Sequence, residues 1–359
     1  MTLQNFLGLE LPIVQSPMAG VQGSALAIAV SNAGGLGSLP CAMLTPEAMQ
    51  AELSALSAQT RRPYNVNFFC HTPSAPDAAR EAQWRAALAP YYAEFGLDPA
   101  AVPAAGVRSP FSHELADLLE AFKPPVVSFH FGLPAPDLLQ RVKSWGAKVL
   151  SSATTVAEAR WLEAHGADVI IAQGLEAGGH RALFLGDDIT TQMGTLALLP
   201  QVLRAVRVPV IAAGGIADAQ GVKAVLALGA IAAQVGTSYL LCPEVSTTVL
   251  HRAALQNERA EHTALTHLFT GRPARSIVNR LMKDLGPGST AAPAFPLAGA
   301  ALMPLKAAAE KLGRDDFSSL WSGQNASGCR EMPAAELTRL LAGVDGPTAT
   351  NNNAAAHPT

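Results

Sequence analysis

Short apolar runs that end in polar or glycine-rich loops, each followed by a stretch of helical composition, recur through the first two thirds of the chain. The runs at residues 11–16, 36–38, 64–69, 126–130, 147–152, 169–172, 208–213 and 230–235 read as strands. The runs 169–172 and 208–213 are continuously apolar rather than alternating, the pattern of parallel strands buried on both faces. Helices are predicted between them, at 24–33, 45–58, 136–145, 155–165 and 191–205. Thr45, Pro46 and Glu47 supply an N-cap, a proline at the first helical position and an acidic first turn. Eight strand-helix alternations, spaced by roughly 20 to 30 residues, indicate an α/β fold of the (β/α)8 TIM barrel type rather than an open sheet. A dinucleotide-binding sheet would need GxGxxG after its first strand and an acid at the end of the second, and neither is present.

Two stretches depart from this rhythm. Residues 72–124 are helical, charged and proline-punctuated, with the clearest helix at 81–95, and are too long for an ordinary connection. They are read as a helical insertion. Beyond Glu244 the strands disappear: helices are predicted at 252–268, 298–311 and 333–342, with a basic loop at 269–275 and a Gly/Pro-rich stretch at 285–296. The expected division is a barrel over 1–253, a C-terminal helical cap across its mouth over 254–343, and a tail at 344–359 with little to bury, expected to be disordered.

Composition narrows the class. Of 359 residues 49% are hydrophobic and 15% charged, which suits a large core. A formal charge of −3 with no basic run leaves no footprint for nucleic acid. The first residues lack a basic region and a long apolar stretch, and the most apolar window, 222–241, is broken by Lys223, Gly229, Gln234 and Gly236. A cytoplasmic protein with no membrane partner is therefore expected. Cys41, Cys70, Cys242 and Cys329 show no CxxC spacing, and the histidines lack paired carboxylates at ligand spacing, so no metal is expected.

Candidate chemistry gathers at the ends of the predicted strands. The run 168–172 opens into Gln173-Gly-Leu-Glu176-Ala-Gly178-Gly179-His180-Arg181, a polar loop where such folds keep their active residues. Gly178 and Gly179 remove side chains where a flat ligand would need close backbone approach. The runs 208–213 and 230–235 end in Gly214-Gly215 and Gly236-Thr237 before helical stretches, presenting backbone N–H groups as a phosphate site requires. Asp218 is placed as a helix N-cap. Pro17, Met18, Ala19 and Gly20 can lay backbone and a soft side chain against a planar ring, or simply form a stiff turn. Asn67, polar within an apolar strand, must be hydrogen-bonded either to backbone or to a ligand. His71 and His130 stand at strand ends, facing a pocket or satisfied there.

Taken together, the stretches at 12–20, 65–69, 128–132, 172–180, 213–216 and 234–237 resemble the nitronate monooxygenase family, also called 2-nitropropane dioxygenases, and specifically its class I branch. The resemblance implies a TIM barrel that binds FMN, with Pro17, Met18, Ala19 and Asn67 at the flavin ring and Gln173 on the ring or ribityl chain. It also implies Gly178, Gly179, Gly214, Gly215, Gly236 and Thr237 around the cofactor and its phosphate, and His180 as the catalytic residue. An imidazole, with its ordinary pKa near ~6.5, can hydrogen-bond a nitronate as a cation or take a carbon-bound proton as a base. The implied reaction consumes O2 and a small nitronate, propionate 3-nitronate in this branch, and releases a carbonyl compound and nitrite.

Where relatives are expected to carry pocket tyrosines, this chain has Phe295, which with His71 and His130 is assigned to the substrate pocket. Lys306 could attract a carboxylated substrate, although a helix lysine is more often solvated. The protein is expected to act as a monomer or homodimer. The alternative is an FMN-dependent NAD(P)H reductase of the enoyl-acyl-carrier-protein or quinone type, and a non-catalytic flavin-binding barrel is the reading outside enzymology.

Overall fold

The computed structural model describes residues 6–100, 102 and 109–344. Its centre is an eight-stranded parallel sheet built from β1 (Ile13–Gln15), β2 (Gly37–Pro40), β3 (Tyr64–Phe69), β4 (Val126–His130), β5 (Lys148–Ala153), β6 (Val169–Gln173), β8 (Val210–Ala213) and β9 (Ala232–Val235). The spatial order is β1-β9-β8-β6-β5-β4-β3-β2. A parallel bridge between Val14 and Leu36 joins the two ends, with Gln15 N–H donating to Leu36 O at 2.9 Å and Leu36 N–H to Ile13 O at 2.8 Å. The sheet is thus a closed barrel, as the strand-helix rhythm predicts.

The period of two in each strand decides what faces inward. Val169 and Ile171 join Val14, Leu36, Val126, Leu150, Ile211 and Ala232 in one apolar cluster, while Ile170 and Ala172 pack with the surrounding helices. In β3, Val66 and Phe68 take the outer face. That leaves Asn65, Asn67 and Phe69 inside. The same alternation turns Ser128 and His130 of β4, Ser152 of β5 and Gln173 of β6 inward. Toward the carboxyl ends of the strands the apolar floor therefore gives way to polar groups, where barrel enzymes place their sites.

The C-terminal region departs from expectation. Residues 252–268 are not one helix: the helix Val249–Leu255 is followed by a short 3-10 turn, Glu258–Glu261, and then by β10 (Thr263–Thr266). The basic loop at 269–275 supplies the turn of an antiparallel hairpin and the first two residues of its second strand, β11 (Ala274–Ile277), which pairs with β10, so strands return beyond Glu244. The two-residue β7 (Gly179–His180) adds to this hairpin, pairing Ala274 with His180 and Arg275 with Gly179. The alanine-rich composition read as helical, but pairing of β10 with β11, which is itself braced by the distant β7, won.

Within the 72–124 stretch, the helix Ala78–Glu94 packs on the helix Ala298–Lys311: Trp84 Nε1–H donates to Ala298 O at 3.0 Å and the Tyr92 hydroxyl to Ala301 O at 2.7 Å. The helix His113–Phe122 instead joins the ring around the barrel, with Ala116 and Leu119 in the same cluster as Val66 and Val127. The helix Ala334–Ala342 lays Leu337 and Leu341 on the barrel exterior. The tail assigned to 344–359 lies outside the described residues but for Val344. Among the described residues no helix is long and apolar enough to cross a membrane.

Candidate active site

The loop after β6 is held by contacts that span the chain. Gly174 N–H donates to Ala213 O at 2.8 Å, and a Cβ on Gly174 would lie 1.9 Å from Thr195 Oγ1, so no other residue fits there. Glu176 then turns away from the barrel mouth. Its carboxylate accepts from Thr195 N–H and Oγ1–H, each at 2.8 Å, and so caps the helix Thr195–Ala205, whose N-cap Gly194 has no side chain to do it.

His180 is fixed from three sides. Its backbone oxygen accepts from Gln173 Nε2 at 3.0 Å and from His130 Nε2 at 3.3 Å, and its own ring Nε2 lies 2.9 Å from Thr270 Oγ1 in the hairpin turn. Gln173 also accepts from Ala182 N–H through Oε1 at 2.9 Å, so both ends of its amide grip the loop. Arg181, on the opposite face, is fully buried. It donates to Gly174 O at 2.5 Å, Gln173 O at 2.7 Å and Gln192 Oε1 at 2.9 Å. Burial, then the neighbouring Arg275 charge, pushes its guanidinium down to about 10.

Because a carbonyl oxygen can only accept, His130 carries its proton on Nε2, and Nδ1 accepts from Ser152 Oγ at 3.4 Å. Burial first, and the Arg272 charge second, push His130 down to about 3. It is a neutral donor that positions the loop.

Aromatic rings form one wall beside His180. Ring centroids of Phe69, Phe131, Phe295 and Trp321 lie 6.4, 6.0, 5.6 and 5.5 Å from the imidazole. His71 is buried among them, edge-on to Phe295 at 4.9 Å. Phe131 adopts φ 70°, a left-handed conformation costing about 1 kcal/mol or more in a non-glycine residue. Ser151 Oγ holds this bend by donating to Gly132 O at 2.8 Å, and the Arg272 guanidinium lies 3.9 Å over the Phe131 ring. Arg272 also donates to Leu183 O.

The two glycine loops are tied to the His180 loop through Gly323, which packs against Gly178 and donates to Thr237 Oγ1. Gly214 and Gly215 have φ 118° and 71°, conformations that favour glycine, and Asp218 caps the following helix by accepting from Gly221 N–H at 2.7 Å. Gly236 lies against the Met18 loop, where its absent Cβ would sit 3.7 Å from Met18 Sδ. Met18 N–H donates to Gln22 Oε1 at 3.1 Å, and Gln22 Nε2 to Ser38 O at 2.6 Å, which pins Pro17, Met18 and Ala19 over the barrel end. Asn67 donates to Ser128 Oγ at 2.9 Å, the side chain beside it in the barrel.

Some residues serve otherwise than the sequence suggests. A Cβ on Gly178 would lie 2.5 Å from Gly323 N, so the close approach it permits is to this chain's own backbone rather than to a flat ligand. Gly179, with φ 69°, has nothing within 4 Å of that position and borders open space. Lys306 Nζ lies 3.8 Å from Glu310 on its own helix.

The segment 321–329 was not legible as part of the site. It crosses the glycine loops: Gly323 N–H donates to Thr237 Oγ1 at 3.0 Å, Gln324 N–H to Glu176 O at 2.9 Å and Asn325 Nδ2 to Gly215 O at 3.2 Å. Its only local mark is the loop composition of Gly323, Asn325, Ser327 and Gly328. Thr270 was missed as well, having no motif around it. Among the described residues no cluster of His, Cys, Asp and Glu is arranged to hold a metal ion.

Residues 1–343 match the family model described as nitronate monooxygenase. A nitronate monooxygenase of Pseudomonas aeruginosa is 44% identical over 338 residues, covering 93% of this chain and 96% of that protein. The solved nitroalkane oxidase of Streptomyces ansochromogenes shares 40% identity, with a TM-score of 0.86 over 95% of this chain and 96% of that one. FabK of Thermotoga maritima, at 26% identity, gives a TM-score of 0.68 over 95% and 94%.

Proposed function

The chain belongs to the nitronate monooxygenase family of oxidoreductases, and from that premise we propose that it binds FMN at the barrel mouth and oxidises alkyl nitronates with O2. Propionate 3-nitronate is the first substrate to test. The observation that carries this reading is the fixing of His180 by Gln173, His130 and Thr270 on a loop that Gly323 ties to the glycine loop at Thr237.

The residues fit the cofactor. Gly214 and Gly215 hold the positive-φ turn that a backbone anion cradle uses, Gly179 borders open space, and Asn65 Oδ1 inside the barrel is a buried acceptor with no hydrogen-bond partner. Backbone N–H groups near Gly214–Gly215 and Gly236–Thr237 would hold the phosphate, and the Met18 loop and Asn67 would meet the ring. Gln173 grips the loop with one amide hydrogen and its Oε1, and its second amide hydrogen would serve the ring or ribityl chain. When bound, FMN supplies the electron transfer to dioxygen that side chains cannot.

The chain's own part is binding, orientation and proton handling. His180 hydrogen-bonds the nitronate oxygens, or accepts the carbon-bound proton of a neutral nitroalkane. The aromatic wall excludes water from the reacting carbon. Two nitronates and one O2 balance as two carbonyl compounds and two nitrite ions.

Oxygen uptake and nitrite release with propionate 3-nitronate test the reading, together with His180→Ala. The variant is expected to keep the yellow cofactor and lose most turnover. Wild-type protein that leaves nitronates untouched while NADH rapidly bleaches its flavin belongs with the reductases instead. Bound flavin with neither response would be a non-catalytic barrel.

A further inference from the structure

We infer that Glu158, a buried carboxylate in the first turn of the helix Val156–Ala164, is a positioning residue for His180, and that it acts by setting the direction of a hydrogen-bond chain that ends where the His180 loop begins. This rests on the part proposed above for His180 and adds what holds that residue from the surrounding helices.

Glu158 is 1% exposed, so its charge must be met by hydrogen-bond donors. Oε2 accepts from Thr154 N–H and from the Thr154 hydroxyl, each at 2.7 Å, and Oε1 accepts from Phe184 N–H at 2.8 Å. The hydroxyl has one proton, and the carboxylate takes it. Thr154 Oγ1 is left to accept, and does so from Gln192 Nε2 at 3.0 Å. That turns the other end of the Gln192 amide, Oε1, toward Arg181 Nε–H at 2.9 Å. Arg181 in turn donates to Gln173 O and Gly174 O, at the end of β6 from which the His180 loop departs.

One carboxylate therefore reaches the loop twice: directly at Phe184, beyond His180, and through Thr154, Gln192 and Arg181 at the strand end before it. Thr154 and Arg181 have no exposed surface, so water cannot stand in for a lost member. An amide at position 158 breaks this order whichever way it lies. Its NH2 group faces either Phe184 N–H or Thr154 N–H, donor against donor. In the second case the Thr154 hydroxyl must also turn round, and the Gln192 amide with it, which sets NH2 against the Arg181 guanidinium.

Glu158→Gln, Thr154→Val and Thr154→Ser in the whole, flavin-loaded chain separate positioning from packing. Oxygen uptake and nitrite release across propionate 3-nitronate concentrations give kcat and KM for each. Glu158→Gln is expected to lower kcat about tenfold or more, with KM within about threefold and flavin content unchanged. Thr154→Val should lose a similar factor and Thr154→Ser should stay near wild type. The double variant Glu158→Gln/Thr154→Val should fall no further than the worse single one, because both cut the same chain. Should Glu158→Gln fail to fold, Gln192→Met removes the middle of the chain and is expected to give the same loss in kcat. A kcat within twofold of wild type in these variants, losses that multiply in the double variant, or a serine variant as poor as the valine would overturn the inference and leave nitronate oxidation standing. A wild-type enzyme that does not oxidise nitronates would remove the role of His180 and this inference with it.

Discussion

Thr270→Val removes one hydroxyl and keeps the side-chain shape, so it isolates what holds the His180 ring. Thr270 is buried in the turn between β10 and β11, with Oγ1 2.9 Å from His180 Nε2 and 3.4 Å from Arg272 O. The Arg272 carbonyl can take only the hydroxyl proton, which leaves Oγ1 to accept from the imidazole N–H. With valine that N–H faces a methyl group. A half-buried donor left unsatisfied costs about 1–3 kcal/mol, and the ring escapes the cost by rotating away. At about 1.4 kcal/mol per factor of ten, the productive orientation becomes roughly ten- to a hundredfold rarer. The expected result is a fall in kcat of that size with nitronate, KM within about threefold, flavin content unchanged, and recovery in Thr270→Ser. Steady-state oxygen uptake across substrate concentration measures both constants. A valine variant within twofold of wild type in kcat would refute the positioning role, and a loss not restored by serine would assign Thr270 to packing.

Two other outcomes follow from the geometry. Gly178→Ala puts a methyl 2.5 Å from Gly323 N and must displace the segment over the glycine loops, whereas Gly179→Ala meets nothing within 4 Å and bears only the strain of φ 69°. Thermal unfolding should therefore be hurt much more by the first, and equal losses would mean that the segment yields easily. Burial is the largest cause holding His130 down at about 3 and His251 down at about 4. Both are neutral in the folded chain but titrate near ~6.5 when unfolded, so the unfolded state binds more protons in between. Stability present above that value should decline as pH falls toward 4. Urea midpoints at neutral pH and near pH 5 would record this, and His251→Gln should shrink the difference.

Local signals carried far in this chain. Period and spacing placed all eight barrel strands, the Thr45 and Asp218 caps and the helix 298–311, because each depends on residues a few positions apart. The loop bearing His180 stood out for the same reason: an apolar strand and its glycines are neighbours in sequence. What the loop's side chains do was decided at a distance. Glu176 looked like a site residue and caps a helix, Gln173 grips a backbone, and Gly178 makes room for residue 323. Thr270 reaches His180 across 90 positions, and β7 pairs with a hairpin that the composition reads as helix and loop. Sequence by itself determined the barrel and the glycine-rich loops that end its strands, since hydrophobic period and turn chemistry act within one element. Only the tertiary structure decided which groups hold His180, because those contacts exist once closure of the barrel brings distant segments together.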